Sequence, residues 1–361
     1  MGLDSSKNAL FCPLDWGLGH VSRLIPIIVK FKQKSFNIYI ACTYKQYLFL
    51  KSENIEFTWL PTKSPTIKYT KKGINFLNII TLSIKILTGI VIDKININKL
   101  TNDNNFDIII SDNRYGCYSS RVYSIIITHQ INIILPKYLK WAQKPIRLII
   151  KLLINRFNEI WIPDVPYFPN FAGELSRYFN KKTYHIGLLS RFNCIKTNDI
   201  SSNEKYEVLA ILSGPEPQLS FFYNILLKQL KELNSKCAIV YGKVEKENSE
   251  SVDNNVKTFS FANSNKLYSL IQSSKYIIAR AGYSTIMDLI CLKRTAILVP
   301  TPGQTEQEYL ANYLSKQKWF VWQKQNSLNL KKALYELNNT VEIPNFEKCE
   351  FFLEKFFKNY P

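Results

Sequence analysis

Two side chains suited to general-base chemistry each follow an apolar run of the kind that forms a buried strand. His20 closes a glycine-rich loop, Asp15–His20, directly after the run Ala9–Pro13, and Asp112 follows the run Asp107–Ser111. Ligands of open α/β sheets bind at the carboxyl ends of the strands, where such a group can take a proton from a hydroxyl. We predict His20 as the base and Asp112 as the second candidate. The alternatives are a helix-capping or core histidine and a turn-forming aspartate.

Two segments in the second half of the chain combine glycine with residues suited to binding phosphate. One follows the apolar run Glu207–Leu212, and the other follows Tyr276–Ala279 and leads into a predicted helix. Glycine lets the backbone approach a ligand closely, and the first N–H groups of a helix attract anions. A plain tight turn remains an alternative for the first segment. The candidate residues are Ser213, Gly214, Arg280, Gly282, Ser284 and Thr285.

The same region holds side chains suited to binding a ribose and a sugar. Asp288 lies one turn inside the predicted helix, where a carboxylate can accept both ribose hydroxyls. A polar loop, Pro300–Glu308, follows the predicted strand Thr295–Val299. Its amide and carboxylate side chains match the hydroxyls of a sugar. These side chains are Gln304, Gln307 and Glu308.

The elements that position these residues alternate between strand and helix, and the alternation restarts near Glu207. This order favours right-handed βαβ units on parallel sheets and therefore two Rossmann-like halves. A polar segment, 192–205, separates them. We predict an acceptor- and membrane-facing domain over 1–192 and a nucleotide-sugar domain over 193–345. The remaining helical run, 346–361, packs on a core or crosses back to the first domain.

Composition and charge restrict the classes of protein to which this chain can belong. The chain has 361 residues, 46% of them hydrophobic and 21% charged, which indicates a globular protein. Its net charge is +19, and residues 1–200, with 27 basic and 12 acidic side chains, carry +15 of it, so an anionic partner of the first half is expected. The seven cysteines include no CxxC pair, which predicts neither a zinc site nor a disulfide framework. Without a stacking motif or a finger, the charge does not predict nucleic-acid binding.

Two segments of the first half bear on membranes. Ile74–Ile92 is interrupted by polar residues and predicts an amphipathic rather than a spanning helix. Tyr138–Phe157 mixes basic, apolar and aromatic residues, a composition suited to an anionic membrane face. The alternative for this segment is a buried helix with solvated lysines. No secretory signal is evident in the first residues.

The segment Arg280–Asp288, together with the loop that begins at Pro300, resembles the donor site of glycosyltransferase family 28. The loop Asp15–His20 is similar to the glycine-rich loop of that family, which also ends in histidine. The family includes the bacterial N-acetylglucosaminyltransferase of the peptidoglycan lipid intermediate and the plant monogalactosyldiacylglycerol synthases. The resemblance covers nearly the whole chain and is strongest in the second half. In place of the two glutamines of the peptidoglycan enzymes, this chain has Gln307 and Glu308.

The resemblance implies a GT-B fold, an α/β architecture of two facing Rossmann-like domains with a cleft between them. It implies an inverting reaction that uses a UDP-sugar as co-substrate, without a cofactor or a protein-bound metal. By the resemblance, Ser213 and Gly214 would lie near the diphosphate, Ser284 and Thr285 at the helix start, Asp288 at the ribose, and Gln307 and Glu308 near the donor sugar. Arg280 could stabilise the charge of the departing UDP. The first domain would bind a lipid-linked or glycan acceptor. Its candidate acceptor-binding residues are Asp15, Trp16, Gly17, Gly19, Asn113, Arg114 and His129.

We therefore expect transfer of N-acetylglucosamine or a related hexose to a membrane-associated or glycan acceptor, in the synthesis of a cell-envelope polysaccharide or a glycolipid. The expected location is the cytoplasm, peripheral on the inner face of the cytoplasmic membrane. Two alternatives stay open: a sugar-nucleotide epimerase of similar fold and an inactive paralogue that only binds a sugar nucleotide.

Overall fold

The computed structural model describes residues 7–62, 76–195, 204–244 and 249–360, and their side chains except those of 76–84 and 137. The described chain divides into two compact units. The first contains the N-terminal strands, Phe76–Ser190 and Phe346–Pro361, and the second contains Arg191–Asn345. Most of the predicted polar segment 192–205, at positions 196–203, lies outside the described residues.

The first unit is a seven-stranded parallel sheet with the order β3-β2-β1-β4-β5-β6-β7. Apolar residues fill its central strands, as expected for strands covered on both faces. The strands are β1 (Asn8–Pro13), β2 (Asn37–Cys42), β3 (Thr58–Pro61), β4 (Ile108–Asp112), β5 (Tyr123–Ile127), β6 (Glu159–Ile162) and β7 (Thr183–His185). The helices are α1 (Gly19–Gln33), α2 (Tyr44–Ser52), α3 (Phe76–Asp103) and α4 (Gln143–Ile154).

The second unit is another seven-stranded sheet, with the order β10-β11-β9-β8-β12-β13-β14, and only its β10–β11 pair is antiparallel. The strands are β8 (Tyr206–Ile211), β9 (Cys237–Val240), β10 (Glu250–Asp253), β11 (Val256–Phe259), β12 (Ser274–Ala279), β13 (Ile297–Leu298) and β14 (Val321–Trp322). The helices are α5 (Gln218–Lys231), α6 (Ser264–Gln272), α7 (Tyr283–Cys291), α8 (Thr305–Lys316) and α9 (Leu330–Leu337).

The last helix, α10 (Cys349–Asn359), returns to the first unit and packs on α1. The ring of Phe357 lies 4.7 Å from that of Phe31 in an edge-on arrangement, and Glu354 forms an ion pair with Lys30. α10 thus packs through buried residues, among them Leu353, and groups with the first unit.

Each sheet has one point where the strand order reverses. In the first unit the reversal lies between β1 and β4, and in the second between β8 and β12. At such a point the connections leave in opposite directions, so a crevice opens at the carboxyl ends of the two strands. His20 and Asp112 follow the first pair of strands, and Gly214 and Gly282 follow the second. The fold therefore brings the two sets of predicted site residues to the two crevices.

Candidate functional site

The first crevice holds the two candidate bases in direct contact. Pro13 of β1 pairs with Asp112 of β4, and α1 begins six residues after β1 ends, with His20 as its second residue. The Nδ1 atom of His20 lies 3.0 Å from Oδ1 of Asp112. Asp112 is fully buried, whereas the His20 side chain keeps 16% of its exposure. The sequence predicted both residues, and the structure joins them into one unit.

Arg23 is the functional residue that the sequence analysis did not select. One turn after His20 on α1, its Nε donates to Oδ2 of Asp112 at 2.6 Å, and its Nη2 donates to Oδ1. Its Nη1 lies 3.1 Å from Nδ1 of His129, which follows β5. The spacing of three residues from His20 was the available signal, because residues i and i+3 share one helix face.

The hydrogen bonds assign the proton positions in this cluster. A guanidinium only donates, so His129 accepts at Nδ1 and carries its proton on Nε2. Nδ1 of His20 lies 3.0 Å from the carboxylate of Asp112, which only accepts, and 3.2 Å from Nη2 of Arg23, which only donates. The shorter contact favours a proton on Nδ1 of His20 and a lone pair on Nε2. Burial of Asp112 opposes its ionisation, but Arg23 and His20 outweigh burial and lower the pKa of Asp112 to about 2. The carboxylate therefore stays charged at neutral pH.

The predicted acceptor residues around this crevice fall into two groups. Trp16 is 44% exposed, and Gly17 adopts φ +108°, a backbone conformation that favours glycine. Asp15 is half-buried, and burial raises the pKa of its carboxyl even though Thr43 donates a hydrogen bond to it. Gly19 forms the first residue of α1. These four positions form the accessible loop beside His20.

Asn113, Arg114 and His129 are turned inward, and His129 is only 3% exposed. Asn113 has φ +54°, and its Oδ1 is buried without a hydrogen-bond partner in the described chain. Arg114 is 6% exposed, forms an ion pair with Asp93 of α3 and donates to the carbonyl of Ala41 at 3.0 Å. This burial argues against the predicted direct contact of Arg114 with an acceptor. Its observed contacts tie α3 to the sheet.

In the second crevice, the two glycine-containing segments lead into α5 and α7, and these helices differ in the hydrogen bonds made at their first turns. Ser213 and Gly214 are exposed after β8, as a phosphate contact requires. The following helix, α5, already has an internal anion, because Glu216 accepts from the Ser220 backbone N–H at 3.2 Å and from its hydroxyl at 2.7 Å. The prediction that this helix start also attracts the diphosphate is therefore not supported.

At the start of α7, Gly282 is the N-cap residue, with no side-chain capping bond, and Ser284 and Thr285 are partly exposed in the first turn. The backbone of Gly282 has φ −74° and ψ 137°, which any residue can adopt. A Cβ atom built there would contact only Oγ1 of Thr285, at 3.9 Å. The fold itself thus does not require glycine here.

Asp288 is held by a basic residue that the sequence analysis did not select. Nε of Arg191 lies 3.0 Å from Oδ2 of Asp288, which is only 5% exposed. Arg191 and Asp288 both belong to the second unit, so this ion pair lies within that unit. Ribose binding by Asp288 stays a prediction, and it would have to use a carboxylate already engaged with Arg191.

Arg280 is completely buried at the end of β12. Its guanidinium donates to the carbonyls of Val299, Pro300 and Gln218 and to Oε1 of Gln325, at 2.6–3.2 Å. Burial lowers the pKa of Arg280 to about 9. With no exposed surface, it cannot reach a diphosphate as predicted; its contacts instead fix the ends of β13 and β14 and the start of α5.

The predicted sugar-binding loop is fixed by its own side chains. Oε1 of Gln307 accepts from the N–H of Thr301 at 2.8 Å, and Oε1 of Glu308 accepts from the N–H of Gly303 at 3.2 Å. Gln304 is the N-cap residue of α8. Gln307 and Glu308 therefore shape the loop from within α8, and Glu308 also remains exposed.

Two properties of the described residues concern metal binding and membrane insertion. Over the described ranges, no group of three or more His, Cys, Asp or Glu side chains is arranged to hold a metal ion. No helix among the residues that the structure describes has the length and apolar character needed to span a membrane.

Residues 219–358 match the family model of the glycosyltransferase family 28 C-terminal domain. Over these residues the chain is similar to that family. The chain is also 27% identical over 223 residues to an uncharacterized glycosyltransferase of Methanosarcina acetivorans. The aligned stretch covers 56% of each protein, so the chain spans little more than half the length of that curated relative.

Several solved structures share the fold of this chain at low sequence identity. The glycotransferase of kitacinnamycin has a TM-score of 0.65 at 12% identity, with 92% of this chain and 91% of that chain covered. MurG of Acinetobacter baumannii has a TM-score of 0.52 at 13% identity, with 98% and 99% covered. These comparisons confirm the predicted α/β GT-B fold and the predicted resemblance to family 28.

Proposed function

We propose that the protein is an inverting glycosyltransferase that moves a hexose from a UDP-sugar to a hydroxyl group, without a metal ion. The observation that carries this proposal is the contact of 3.0 Å between His20 and Asp112 at the crevice of the first sheet. It supplies an oriented base on a GT-B fold whose second half matches a glycosyltransferase domain.

The proposed step is a single displacement at the anomeric carbon. Nε2 of His20 takes the proton of the acceptor hydroxyl while that oxygen bonds to the anomeric carbon and the bond to the diphosphate breaks. Asp112 stabilises the imidazolium that forms, as the carboxylate of a His–Asp pair does. Because attack and departure occur on opposite faces, the anomeric configuration inverts. The diphosphate leaves with its charge facing the first N–H groups of α7.

The donor proposal is tested by nucleotide binding, with Gly282→Ala as the variant. UDP at 100 times its Kd should stabilise the wild-type protein by about 2.7 kcal/mol and therefore raise its melting temperature. GDP, dTDP and UMP should each stabilise it less. A methyl group at Gly282 meets no clash in the fold, so the variant should melt normally without ligand but lose the UDP effect.

Gly282→Ala is a sharper variant than Asp288→Ala, because removing Asp288 would leave Arg191 without its carboxylate and disturb the fold itself. The donor proposal is wrong if no nucleotide raises the melting temperature. If UDP stabilises Gly282→Ala as much as the wild type, the diphosphate does not bind at the start of α7.

We further propose that the acceptor is presented at an anionic membrane surface, with N-acetylglucosamine or a related hexose as the transferred sugar. The support comes from α4 and the turn before it, where large apolar side chains are unusually exposed. Trp141 is 75% exposed, and Leu148 and Leu152 are 59% and 60% exposed. Exposed basic residues flank them: Lys140, Lys144 and Arg147. Apolar and basic groups on one short helix suit insertion at the headgroup level.

A further inference from the structure

A cavity of about 410 Å³ lies within the second unit, among side chains that the proposed donor site does not use. It is bounded by the first two turns of α5, the loop after β13 and the segment after β14. Its volume is within the range of small-molecule sites, about 300–1,000 Å³. Four lining side chains are carboxamides: Gln218, Asn224, Gln325 and Asn326.

The lining contains no charged side chain, although the chain as a whole has 47 basic and 28 acidic residues. A carboxamide offers both donors and acceptors, as does each hydroxyl group of a sugar. A phosphate or a carboxylate would find no counter-charge in this lining. The chemistry therefore favours a neutral ligand rich in hydroxyl groups.

Two of the lining carboxamides, those of Gln218 and Gln325, are held in fixed orientations by hydrogen bonds. Nη2 of Arg280 donates to Oε1 of Gln325 at 2.6 Å, and Nε2 of Gln325 donates to Oε1 of Gln218 at 3.1 Å. Both glutamines are at least 95% buried, so this chain of bonds fixes which way their amides point. A wall with fixed donors and acceptors loses little conformational entropy on binding.

The remaining lining is apolar and comes from Phe221, Ile225 and Pro302. Phe221 is 37% exposed, so part of its side chain is open to a ligand. The C–H face of a pyranose packs on such apolar groups while its hydroxyls reach the amides. We propose that this cavity binds a neutral saccharide unit, separately from the donor nucleotide.

The experiment is saturation-transfer NMR on the full chain with neutral probes, namely methyl β-glucoside, N-acetylglucosamine and its β-1,4 disaccharide. Glucuronate and glucose 6-phosphate serve as charged counterparts. Each titration is run with and without UDP, so the outcome does not depend on whether UDP binds. At least one neutral probe should bind saturably, the charged probes should bind more weakly, and UDP should not displace the neutral probe.

Phe221→Ala should weaken that binding about five- to tenfold, since a packed ring contributes up to about a factor of ten. Asn224→Ala, at an exposed position, should weaken it with no change in melting temperature. Phe351→Ala, at a ring 69% exposed on α10, is the matched control and should bind normally.

Three results would overturn the saccharide site: no saturable binding of any neutral probe, equal binding of the charged probes, or unchanged binding in both cavity variants. Displacement of the sugar by UDP would instead identify it as a ligand of the donor site. A failure of UDP to stabilise the protein, by contrast, would refute only the proposed donor function.

Discussion

Arg23 gives the His20–Asp112 pair an unusual electrostatic setting. Arg23 and Asp112 are both essentially buried and neutralise each other, so the pair with a neutral His20 has no net charge. The buried guanidinium of Arg23 thus compensates the charge of Asp112 and holds its carboxylate in contact with His20.

The first residue-level prediction concerns His20→Ala. If His20 takes the acceptor proton, the release of UDP from a UDP-hexose in the presence of acceptor should fall about 10²- to 10⁴-fold. The UDP-induced rise in melting temperature should persist, because nothing in the second unit has changed. His185→Ala, a half-buried histidine outside the crevice, should retain full turnover. Undiminished turnover in His20→Ala would mean that another residue is the base.

The second residue-level prediction concerns the stability of the protein in acid. The pKa of Asp112 is lowered from 3.8 to about 2, so its contribution to stability is present above pH 3.8 and is lost as pH falls through 2. The loss should amount to ~2 kcal/mol of the free energy of unfolding. Urea unfolding at pH 5 and pH 2.5 measures it. Asp112→Asn should show a smaller decline over this interval, and an equal decline would contradict the assignment.

At the scale of elements, the return of the chain to the first unit depends on close backbone contact at Gly187. The N–H of Leu188 donates to the carbonyl of Glu347 at 2.8 Å, and the N–H of Cys349 donates to the carbonyl of Leu188 at 3.1 Å. A Cβ on Gly187 would lie 2.4 Å from the carbonyl oxygen of Glu347. No side chain fits between these segments while those bonds persist.

Gly187→Ala should therefore destabilise the protein by about 2 kcal/mol or more, the sum of strain at φ +73° and the clash with Glu347. Gly17→Ala is the matched control, because Gly17 also has positive φ but no atom lies within 4 Å of its added Cβ. Urea unfolding should show the larger loss for Gly187→Ala. Equal losses would mean that backbone strain alone accounts for the effect.

At the scale of the whole molecule, the net charge of +19 makes association with anionic surfaces dependent on salt. Wild-type protein should co-sediment with phosphatidylglycerol vesicles more than with phosphatidylcholine vesicles. The binding should fall between 0.1 M and 1 M NaCl, as the screening length drops from about 10 Å to about 3 Å. Leu148→Glu with Leu152→Glu should reduce it further, because these side chains form the exposed apolar face of α4.

Phe351→Glu places the same charge at an exposed ring of α10 and should bind vesicles like the wild type. If the α4 double variant binds as well as this control, the apolar face of α4 takes no part. If the wild type ignores anionic vesicles, the membrane proposal is wrong.

The fold was largely predictable because its signals are local. Apolar runs such as Asn37–Cys42 and Cys237–Tyr241 alternate with helical segments, and such alternation permits few arrangements other than parallel sheets. The two-residue strands β13 and β14 are set by pairing with neighbours, so their bounds leave little pattern in the sequence. The helix over Ile74–Ile92 was expected, but residues 74 and 75 lie outside the described chain, and α3 continues to Asp103.

The candidate site was predictable at the level of strand ends and not at the level of contacts. His20 and Asp112 stand out because each closes an apolar run. Arg23 and Arg191 each gain their role from a carboxylate about 90 or more residues away, which no local spacing reveals. Arg280 shows the opposite error, because its place in a motif suggested contact with a ligand, whereas the fold encloses it completely.

The discontinuous first unit has a consequence for how the protein is made. Phe31 and Trp161 pack against aromatic residues of α10, which the ribosome adds only after the entire second unit. The described residues of the second unit lie between Arg191 and Asn345, so all of them are made before α10. During synthesis, Phe31 and Trp161 therefore lack their aromatic partners until α10 has been made. In that interval the exposed aromatic surface makes the nascent chain prone to aggregation.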